Sequence, residues 1–524
     1  MEIKVKNDSL TNISCDVLVV NLFEGVTSPA GGTGAVDKAL DGLISSYVIG
    51  KEKFKGKLNE MYVLPTHGKI PADKVLLVGL GKSEDFSLNK IREISAKVVK
   101  KAKALKAKTV CSILHCLNED MINDLKDREL IKGSDCCPGV AGLEAFDCAW
   151  MIAEGAVIGD YKFSKYKSKK EKEDEESEEN NDSLEILEIA EIDSSKVDAV
   201  EKGIFKGKTI AEGLNLARNL VNEPAAEATP SKLAETAVSI EGIECKVYEK
   251  AEIENMNMGA YLAVARGSSE PPKFIHMTYK PSGNAKKKVA IVGKGITFDS
   301  GGLDLKPAAS MRQMKTDMSG AAATLGLMKA IAVLKPDVEV HGIIAACENM
   351  PGSRAYKPGD VLTAKNGKTI EVDNTDAEGR LTLADALCYA TELGVDEVID
   401  IATLTGACVV ALGEIAAGIM GNNQELIDKL IASAEQGGEY FWQLPLYKEY
   451  KDDIKSSIAD MKNAGARYAG ASTAGMFLKE FVGDTKWAHI DIAGPARLEK
   501  DFKELAKGAS GAGLRGLVNY ILSE

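Results

Sequence analysis

The sequence predicts a two-domain α/β protein: a small N-terminal α/β domain and a larger C-terminal α/β domain whose mixed central sheet is flanked by helices. Three observations support this prediction. The chain has 524 residues, which is too long for a single hydrophobic core. Short apolar runs typical of buried strands alternate with longer segments of helical periodicity. An apolar content of 45% and a charged content of 27% are those of a globular protein.

The N-terminal domain is predicted to cover residues 1–200 and to contain a mainly parallel sheet. Short, largely apolar runs predict buried strands at 17–20, 75–78 and 110–114. A segment rich in Lys, Ala and Ile predicts a helix over 88–106. The charged run 165–183 lacks apolar periodicity, so we expect a surface loop there.

The C-terminal domain is predicted to cover residues 201–524, and the domain junction lies on or near a long helix over about 196–222. This helix should end before Pro224, because the residue that precedes a proline avoids the helical region. Thr229 before a proline predicts the cap of the next helix. Further strands are expected at 288–292, 338–346 and 398–404, and further helices at 319–334 and 381–393.

The charge balance and the cysteine pattern restrict the class of protein. The net charge of −13 argues against nucleic acid or an anionic membrane as the main partner. The N-terminal segment shows no secretory pattern, and no run of 18 apolar residues predicts a membrane span. The ten cysteines include no C-x-x-C pair, so we expect reduced, mostly buried thiols in a cytoplasmic protein.

Charged side chains alternate with small residues in the segment 374–381. Asp376, Glu378 and Arg380 are separated by alanine and glycine. In an extended or loop backbone a period of two places all three side chains on one side, so we expect this segment to be the approach to the helix at 381–393. Taken alone, either acid would be a helix cap or a partner of the helix dipole.

A second charged group follows the strand predicted at 288–292. The glycines of 293–302 predict a sharp turn that presents Lys294 and Asp299. Lys306 follows, and Asp317 comes directly before the helix predicted at 319–334. Ligands of open α/β sheets bind at the carboxyl ends of strands, so these loops are the expected place for a site.

The four acidic residues of these loops would repel each other in one cleft unless cations were present. Two divalent ions bridged by carboxylates would remove the repulsion and form a hydrolytic centre. The five histidines form no H-E-x-x-H pair, so the expected site is rich in oxygen, which suits Mn or Mg as well as Zn. The Asp-Ser-Gly-Gly segment 299–302 leaves a serine nucleophile as an alternative, because sequence order alone does not exclude a triad.

Five stretches of the chain resemble one family of enzymes. The segment 374–381, Asn-Thr-Asp-Ala-Glu-Gly-Arg-Leu, resembles the signature of the leucyl aminopeptidase family of metallopeptidases, also called cytosol aminopeptidases. The other stretches that resemble this family are 292–302, 314–320, 400–407 and 487–494. The resemblance covers most of 205–524, whereas the N-terminal half is only loosely similar and the acidic run looks like a local insertion.

The resemblance implies a two-metal aminopeptidase, a hydrolase that releases N-terminal amino acids from peptides by attack of a metal-bridging water. The implied metal ligands are Lys294, Asp299, Asp317, Asp376 and Glu378. Of these, Asp299 and Glu378 would bridge the ions, Asp376 would complete the first site, and Lys294 with Asp317 would complete the second. The implied catalytic residues are Lys306, which would polarise the scissile carbonyl, and Arg380, which would hold a bicarbonate acting as general base.

The same resemblance implies the substrate site, the cofactors and the assembly. The backbone of Leu404 and Gly406 would orient the substrate, and Met314 and Thr403 would line an apolar pocket that favours Leu, Met and other apolar residues. The cofactors would be two divalent ions per subunit, Mn or Zn with Mg or Co as alternatives, together with bicarbonate. The partners would be peptide substrates and further copies of the chain in a homohexamer. Two rival roles known in the family are cysteinylglycine cleavage and architectural DNA binding, which the acidic charge disfavours.

Overall fold

The computed structural model describes residues 1–115, 143–168, 184–465 and 467–524. The chain divides into two compact units, one of Met1–Ala211 with Lys503–Leu505 and the other of Glu212–Phe502 with Ala506–Glu524. The division falls inside the helix Val197–Asn222, which matches the helix predicted over about 196–222. Residues 169–183 of the predicted charged loop lie outside the described part of the chain.

The N-terminal unit contains a six-stranded sheet within its described residues. Its strands are β1 (Glu2–Lys6), β2 (Val17–Leu22), β3 (Met61–Pro65), β4 (Lys74–Gly79), β5 (Thr109–Ile113) and β6 (Ile186–Ala190). The strand order is β1-β6-β5-β2-β4-β3, and all neighbours are parallel except β3 and β4. The prediction of a mainly parallel sheet is therefore confirmed for this unit.

The described residues of the larger unit form an eight-stranded mixed sheet together with smaller sheets. The strands of this unit, in the main sheet and in two smaller sheets, are β7 (Glu244–Tyr248), β8 (Lys273–Tyr279), β9 (Lys287–Asp299), β10 (Val338–Asn349), β11 (Val361–Thr363), β12 (Thr369–Glu371), β13 (Glu397–Ala402), β14 (Ala416–Gly421), β15 (Tyr440–Gln443), β16 (Met461–Lys462), β17 (Lys486–Asp491), β18 (Arg497–Leu498) and β19 (Gly508–Ala509). The order in the main sheet is β15-β14-β17-β13-β9-β10-β8-β7. The central strands β17, β13, β9 and β10 are parallel, and the outer pairs β10–β8, β8–β7 and β14–β17 are antiparallel.

The α-helices of the described residues lie between or after these strands in the chain. They are α1 (Gly31–Ala39), α2 (Leu88–Ala104), α3 (Ala145–Asp160), α4 (Val197–Asn222), α5 (Pro230–Val238), α6 (Lys250–Asn255), α7 (Gly259–Ala265), α8 (Ala308–Met311), α9 (Ser319–Leu334), α10 (Glu378–Glu392), α11 (Gly406–Leu412), α12 (Gln424–Gln436), α13 (Gly470–Lys479) and α14 (Leu514–Ser523). Shorter helical turns are Leu10–Asn12, Ile44–Ile49, Ser83–Asp85, Ser194–Lys196, Met314–Thr316 and Lys448–Ile454. Thr229 caps α5 by accepting a hydrogen bond from the Lys232 amide, as its position before a proline predicted.

Two predictions about the charged segments were wrong in their local geometry. Strand β9 does not end at residue 292 but continues to Asp299, so Lys294 lies inside a buried strand rather than on a turn. The turn comes later, at Gly301 and Gly302, whose φ angles of 86° and 67° favour glycine. Helix α10 begins at Glu378 rather than at residue 381, so the alternating pattern does not describe an extended backbone at 378–380.

The glycines inside β9 have a packing role instead of a turning role. An added Cβ at Gly293 would lie 2.6 Å from the Gly320 carbonyl oxygen and 2.6 Å from Thr324 Oγ1 of α9. The absence of a side chain therefore lets α9 approach the strand closely. The segment Met314–Leu334 is apolar and long enough to cross a membrane, but most of it is buried inside the unit, as expected for a core helix.

Candidate active site

Lys294 is the buried centre of the charged cluster. Its side chain is 3% exposed, and its Nζ lies 2.7 Å from Asp317 Oδ2 and 2.9 Å from Glu378 Oε1. The ammonium group also donates to the Thr403 carbonyl at 3.0 Å. Strand β9, the turn before α9, the start of α10 and the end of β13 thus meet at one side chain.

Lys306 joins the other two carboxylates of the cluster. Its Nζ lies 2.8 Å from Asp299 Oδ2 and makes a second, shorter ion pair with Asp376. Asp299 is the last residue of β9, and Lys306 follows the turn at Gly301 and Gly302. The turn therefore folds the chain back so that the lysine faces the carboxylate that precedes it.

Asp299, Asp376 and Glu378 form a group whose arrangement fits a divalent cation. Each offers one carboxylate oxygen, and these oxygens all lie within 4.8 Å of one another. Glu378 Oε2 is buried and has no hydrogen-bond partner among the described residues. A buried carboxylate oxygen without a partner is costly, and a cation beside it would remove that cost. The donor set, all oxygen apart from the Lys294 amine, suits Mn, Mg or Zn.

The protonation of the cluster follows from burial and charge. Burial raises the pKa of the Asp299 carboxyl to about 6, and the neighbouring Glu378 adds to this rise, while Lys306 and Lys294 oppose it. Burial also acts to raise the pKa of Glu378, but Lys294 and Lys306 outweigh it and hold that pKa below its usual value. Burial raises the pKa of Asp317 as well. A metal ion would have to compete for these carboxylates with two lysine ammonium groups.

The lysine predicted as a metal ligand is protonated in this arrangement. Burial acts to lower the pKa of Lys294, but Asp317, Glu378 and Asp299 together outweigh it and raise the pKa above its usual value. Only a neutral amine can bind a metal. Ligation by Lys294 therefore requires loss of its proton as the ion takes its place among the carboxylates.

Arg380 lies in the first turn of α10 and is buried. Its Nη1 donates to the Asn463 carbonyl at 2.8 Å, and within the described ranges its buried Nε has no acceptor. Burial lowers the pKa of the guanidinium to about 10. A group at this pKa stays charged at neutral pH and has a donor to offer to an anion.

The segment from Thr403 to Gly406 is fixed between the cluster and Asp491. Thr403 Oγ1 donates to Asp317 Oδ1 at 2.8 Å, and the Leu404 amide donates to Asp491 Oδ1 at 3.1 Å. Gly406 is exposed at the start of α11, and an added Cβ there would meet nothing within 4 Å. The structure therefore places the predicted substrate-binding backbone beside the predicted metal ligands.

The remaining predicted pocket residue, Met314, lies three residues before Asp317 on the turn Met314–Thr316 and is half-buried. That turn packs against β9. The position is close to the cluster in sequence and in the fold, but its role in substrate binding stays a prediction. The roles assigned to the other site residues are likewise predictions, although their side chains or backbone meet as expected.

The serine-nucleophile alternative has no support in this arrangement. Ser300 is buried, and its Oγ donates to the Asn349 carbonyl at 2.7 Å and accepts from the Gly302 amide at 3.2 Å. Its hydroxyl proton is therefore engaged by a carbonyl. No histidine among the described residues bonds to it, so a base for a triad is missing there.

Sequence reasoning missed several residues that hold the site together. Asn349 donates to Asp299 and Asn463 donates to the Asn374 carbonyl, while Asp491 holds Leu404. Asn349 and Asp491 each end a strand of the parallel core, so the rule that predicted the acidic loops also applies to them. Asn463 follows the two-residue strand β16, and no pattern in its neighbourhood distinguishes it from a surface asparagine.

Comparison with known families identifies the chain. Residues 215–518 match the catalytic domain of the cytosol aminopeptidase family, and residues 19–127 match the N-terminal domain of the same family. The chain belongs to the cytosol aminopeptidase family. The resemblance noted from the sequence and the predicted fold class are both confirmed, and the chain is a metallo-aminopeptidase, a hydrolase.

Relatives and solved structures of the family match over nearly the whole chain. The probable cytosol aminopeptidases of Sulfurihydrogenibium sp. and Alkaliphilus oremlandii are 44% and 43% identical, and the matches cover 100% of this chain and 98% and 99% of those proteins. A tomato leucine aminopeptidase mutant superimposes with a TM-score of 0.82 at 35% identity, covering 100% of this chain and 97% of that one. The bottromycin maturation enzyme BotP in complex with Mn superimposes with a TM-score of 0.80 at 31% identity, covering 97% and 99%.

Proposed function

We propose that this metallo-aminopeptidase uses two divalent ions to release Leu, Met and other apolar N-terminal residues from peptides. The observation that carries the proposal is the cluster in which Lys294 contacts Asp317 and Glu378 while Lys306 contacts Asp299 and Asp376. Four buried or half-buried carboxylates face only two ammonium groups, so the cluster favours further cations. Mn in BotP, a solved structure 31% identical to this chain, supports the choice of a divalent metal.

The protein groups then have separate tasks in peptide hydrolysis. Asp299, Asp376 and Glu378 would hold the ions, with Asp317 and the neutral amine of Lys294 completing the second position. When bound, the ions would supply an activated water and a Lewis acid. Lys306, displaced from its carboxylates, would donate to the carbonyl oxygen as negative charge develops there.

Arg380 would anchor a bicarbonate that accepts the proton from the attacking water. The buried Nε without an acceptor in the described chain supports an anion at this position. The guanidinium cannot itself serve as a base at neutral pH, because it keeps its proton. The backbone of Leu404 and Gly406 would align the peptide, and Thr403 and Met314 would border the pocket for its first side chain.

The test is hydrolysis of leucine p-nitroanilide by protein stripped of metal and reloaded with Mn, Zn, Co or Mg. We expect no activity without metal, recovery with at least one ion, and loss of activity in Glu378→Ala. Glu397→Ala is a matched control, because Glu397 is also a buried glutamate that pairs with a lysine of β9, Lys287, at 2.7 Å. Lys287 is the first residue of that strand, at the end opposite to Asp299. Hydrolysis that survives chelation, or survives Glu378→Ala, would rule out the two-metal mechanism.

Substrate class is tested with matched peptides. An aminopeptidase should cleave leucine p-nitroanilide and leave the N-acetylated compound intact, because acetylation removes the free amine that defines the chain end. Comparing Leu-Gly with Cys-Gly separates an apolar preference from a cysteinylglycine dipeptidase. Equal rates on free and acetylated substrates would contradict the assignment as an exopeptidase.

We further propose that the protein is a cytoplasmic homohexamer. The family resemblance supports this proposal. Large apolar side chains that are exposed on the single chain, such as Trp442 at 66% and Tyr468 at 79%, support the assembly. Light scattering coupled to gel filtration should give about six times the chain mass of 55.9 kDa. A monomer at micromolar concentration would contradict the hexamer without affecting the proposed chemistry.

A further inference from the structure

Asn349 lies at the end of β10, directly beside the end of β9. The two strands are parallel, and their register shifts between Cys347 and Asn349 so that Asn349 pairs with Asp299. Asn349 is fully buried. A register shift of this kind re-aims the side chain that follows it, here toward the charged cluster.

The Asn349 amide connects the two halves of the site. Its Nδ2 donates to Asp299 Oδ1 at 2.8 Å and to the Thr375 carbonyl at 3.0 Å. Both partners are acceptors, so only the amide nitrogen can face them, and the orientation of the side chain follows. One side chain thus spans from the end of β9 to the segment that carries Asp376 and Glu378.

These contacts divide the two oxygens of Asp299 between different tasks. Oδ1 accepts from Asn349 and from the Gly301 amide at 2.9 Å, which leaves Oδ2 directed at Lys306 at 2.8 Å. We propose that Asn349 is a positioning residue that holds Oδ1 so that Oδ2 points at the divalent ion. This inference rests on the proposed two-metal function and adds a residue to it.

A neighbouring tyrosine shares one of the two contacts of Asn349, the hydrogen bond that holds the segment 374–378 in place. It therefore allows this contact to be tested apart from the contact with Asp299. Tyr356 Oη donates to the same Thr375 carbonyl at 2.7 Å and is equally buried. The segment therefore keeps one donor when Asn349 is removed, whereas Asp299 Oδ1 keeps only a backbone amide. Groups that orient metal-ligating carboxylates typically change metal affinity by about 10–100-fold when removed.

The test compares Asn349→Leu, which keeps the approximate volume but removes the donor, with Tyr356→Phe, which removes one donor to Thr375 alone. Mn affinity is measured by titration calorimetry of metal-free protein, together with the unfolding temperature of each metal-free variant. We expect Asn349→Leu to bind Mn about 10–100-fold more weakly. Tyr356→Phe should bind Mn like the wild type.

The outcomes separate a positioning role from a structural one. Asn349→Leu with a lower metal-free unfolding temperature but unchanged Mn affinity overturns the proposal, and so does an equal loss of affinity in Tyr356→Phe. Asn349→Ala carries the same prediction if the leucine variant does not fold. A wild type that binds no Mn overturns the two-metal function together with this inference. If the wild type binds Mn and the Asn349 variants bind it with the same affinity, this inference alone is overturned.

Discussion

At Gly379, in the first turn of α10, a methyl group would collide with the side chain of Lys294. An added Cβ would lie 2.6 Å from Lys294 Nζ and closer still to its Cε. The collision is with a side chain, so the lysine would move rather than the helix. The conformation of Gly379 is helical, and alanine would otherwise favour a helix by about 0.5–1 kcal/mol.

We therefore predict that Gly379→Ala folds normally but loses activity. A displacement of about 1 Å in a catalytic group can lower the rate about 100-fold, and we expect a fall in kcat/KM of that order with an unfolding temperature near that of the wild type. Gly283→Ala is the matched control, because a Cβ there meets nothing within 4 Å. Full activity of Gly379→Ala on leucine p-nitroanilide would show that the position of Lys294 does not matter.

At the level of elements, the sequence predicted which segments form the site better than it predicted their backbone. The strand at β9 and the helix at α10 were both expected, but each is longer than its apolar pattern. The glycines after residue 292 predicted a turn at Lys294, and the alternation of charged and small residues placed Glu378 before the predicted helix. In the fold, both residues lie inside these elements and pair with each other at 2.9 Å. A buried ion pair between distant segments cannot be seen in local periodicity.

The histidines of β8 and β10 give another example of pairing that sequence separation concealed. His276 and His341 are 65 residues apart in sequence, yet His276 Nε2 lies 2.9 Å from His341 Nδ1. Glu339 accepts from His341 Nε2 at 3.0 Å, so Nδ1 of that ring is the acceptor for His276, whose Nδ1 in turn accepts from Tyr389. Each of the four ring nitrogens therefore has a hydrogen-bond partner when both rings are neutral.

We predict that this pair makes the larger unit sensitive to acid. Burial, with His341 and Lys246, lowers the pKa of His276 to about 4, and burial also lowers that of His341 despite the opposing effect of Glu339. The unfolded chain takes up protons near pH 6.5 while the folded chain does not, so stability present above pH 6.5 is lost as the pH falls toward 4. One pKa unit is about 1.4 kcal/mol, which gives a loss on the order of 3 kcal/mol before screening at the partly exposed ring.

Urea unfolding at pH 7.5 and pH 4.5 measures this loss. The double variant His276→Gln/His341→Gln should be less stable at pH 7.5 but should lose less on acidification than the wild type. His67→Asn is the control, because His67 is exposed and its φ of 51° suits asparagine. An unchanged pH dependence in the double variant would place the acid sensitivity elsewhere in the chain.

For the whole molecule, the active site depends on the order of strands rather than on any single segment. Strands β9, β10, β13 and β17 lie side by side and in parallel, so their carboxyl ends meet at one edge of the sheet. Apolar runs predicted three of these strands but not their order, because order is set by packing between segments far apart in sequence. The resemblance to a family supplied the ligand set, which the residue pattern alone left open between metal and serine chemistry.

Binding of metal should also stabilise the folded chain. Ligands that bind only the folded state stabilise it, by about 2.7 kcal/mol at a concentration 100 times Kd. Because Lys294, Asp317 and Glu378 come from separate elements of the larger unit, we expect Mn to raise its unfolding temperature and to slow amide exchange in β9, β13 and the first turns of α10. Exchange in β2 and β5 of the N-terminal unit should respond less. Glu378→Ala should abolish the effect and Glu397→Ala should retain it, whereas stabilisation by Mn that persists in Glu378→Ala would place the ion outside this cluster.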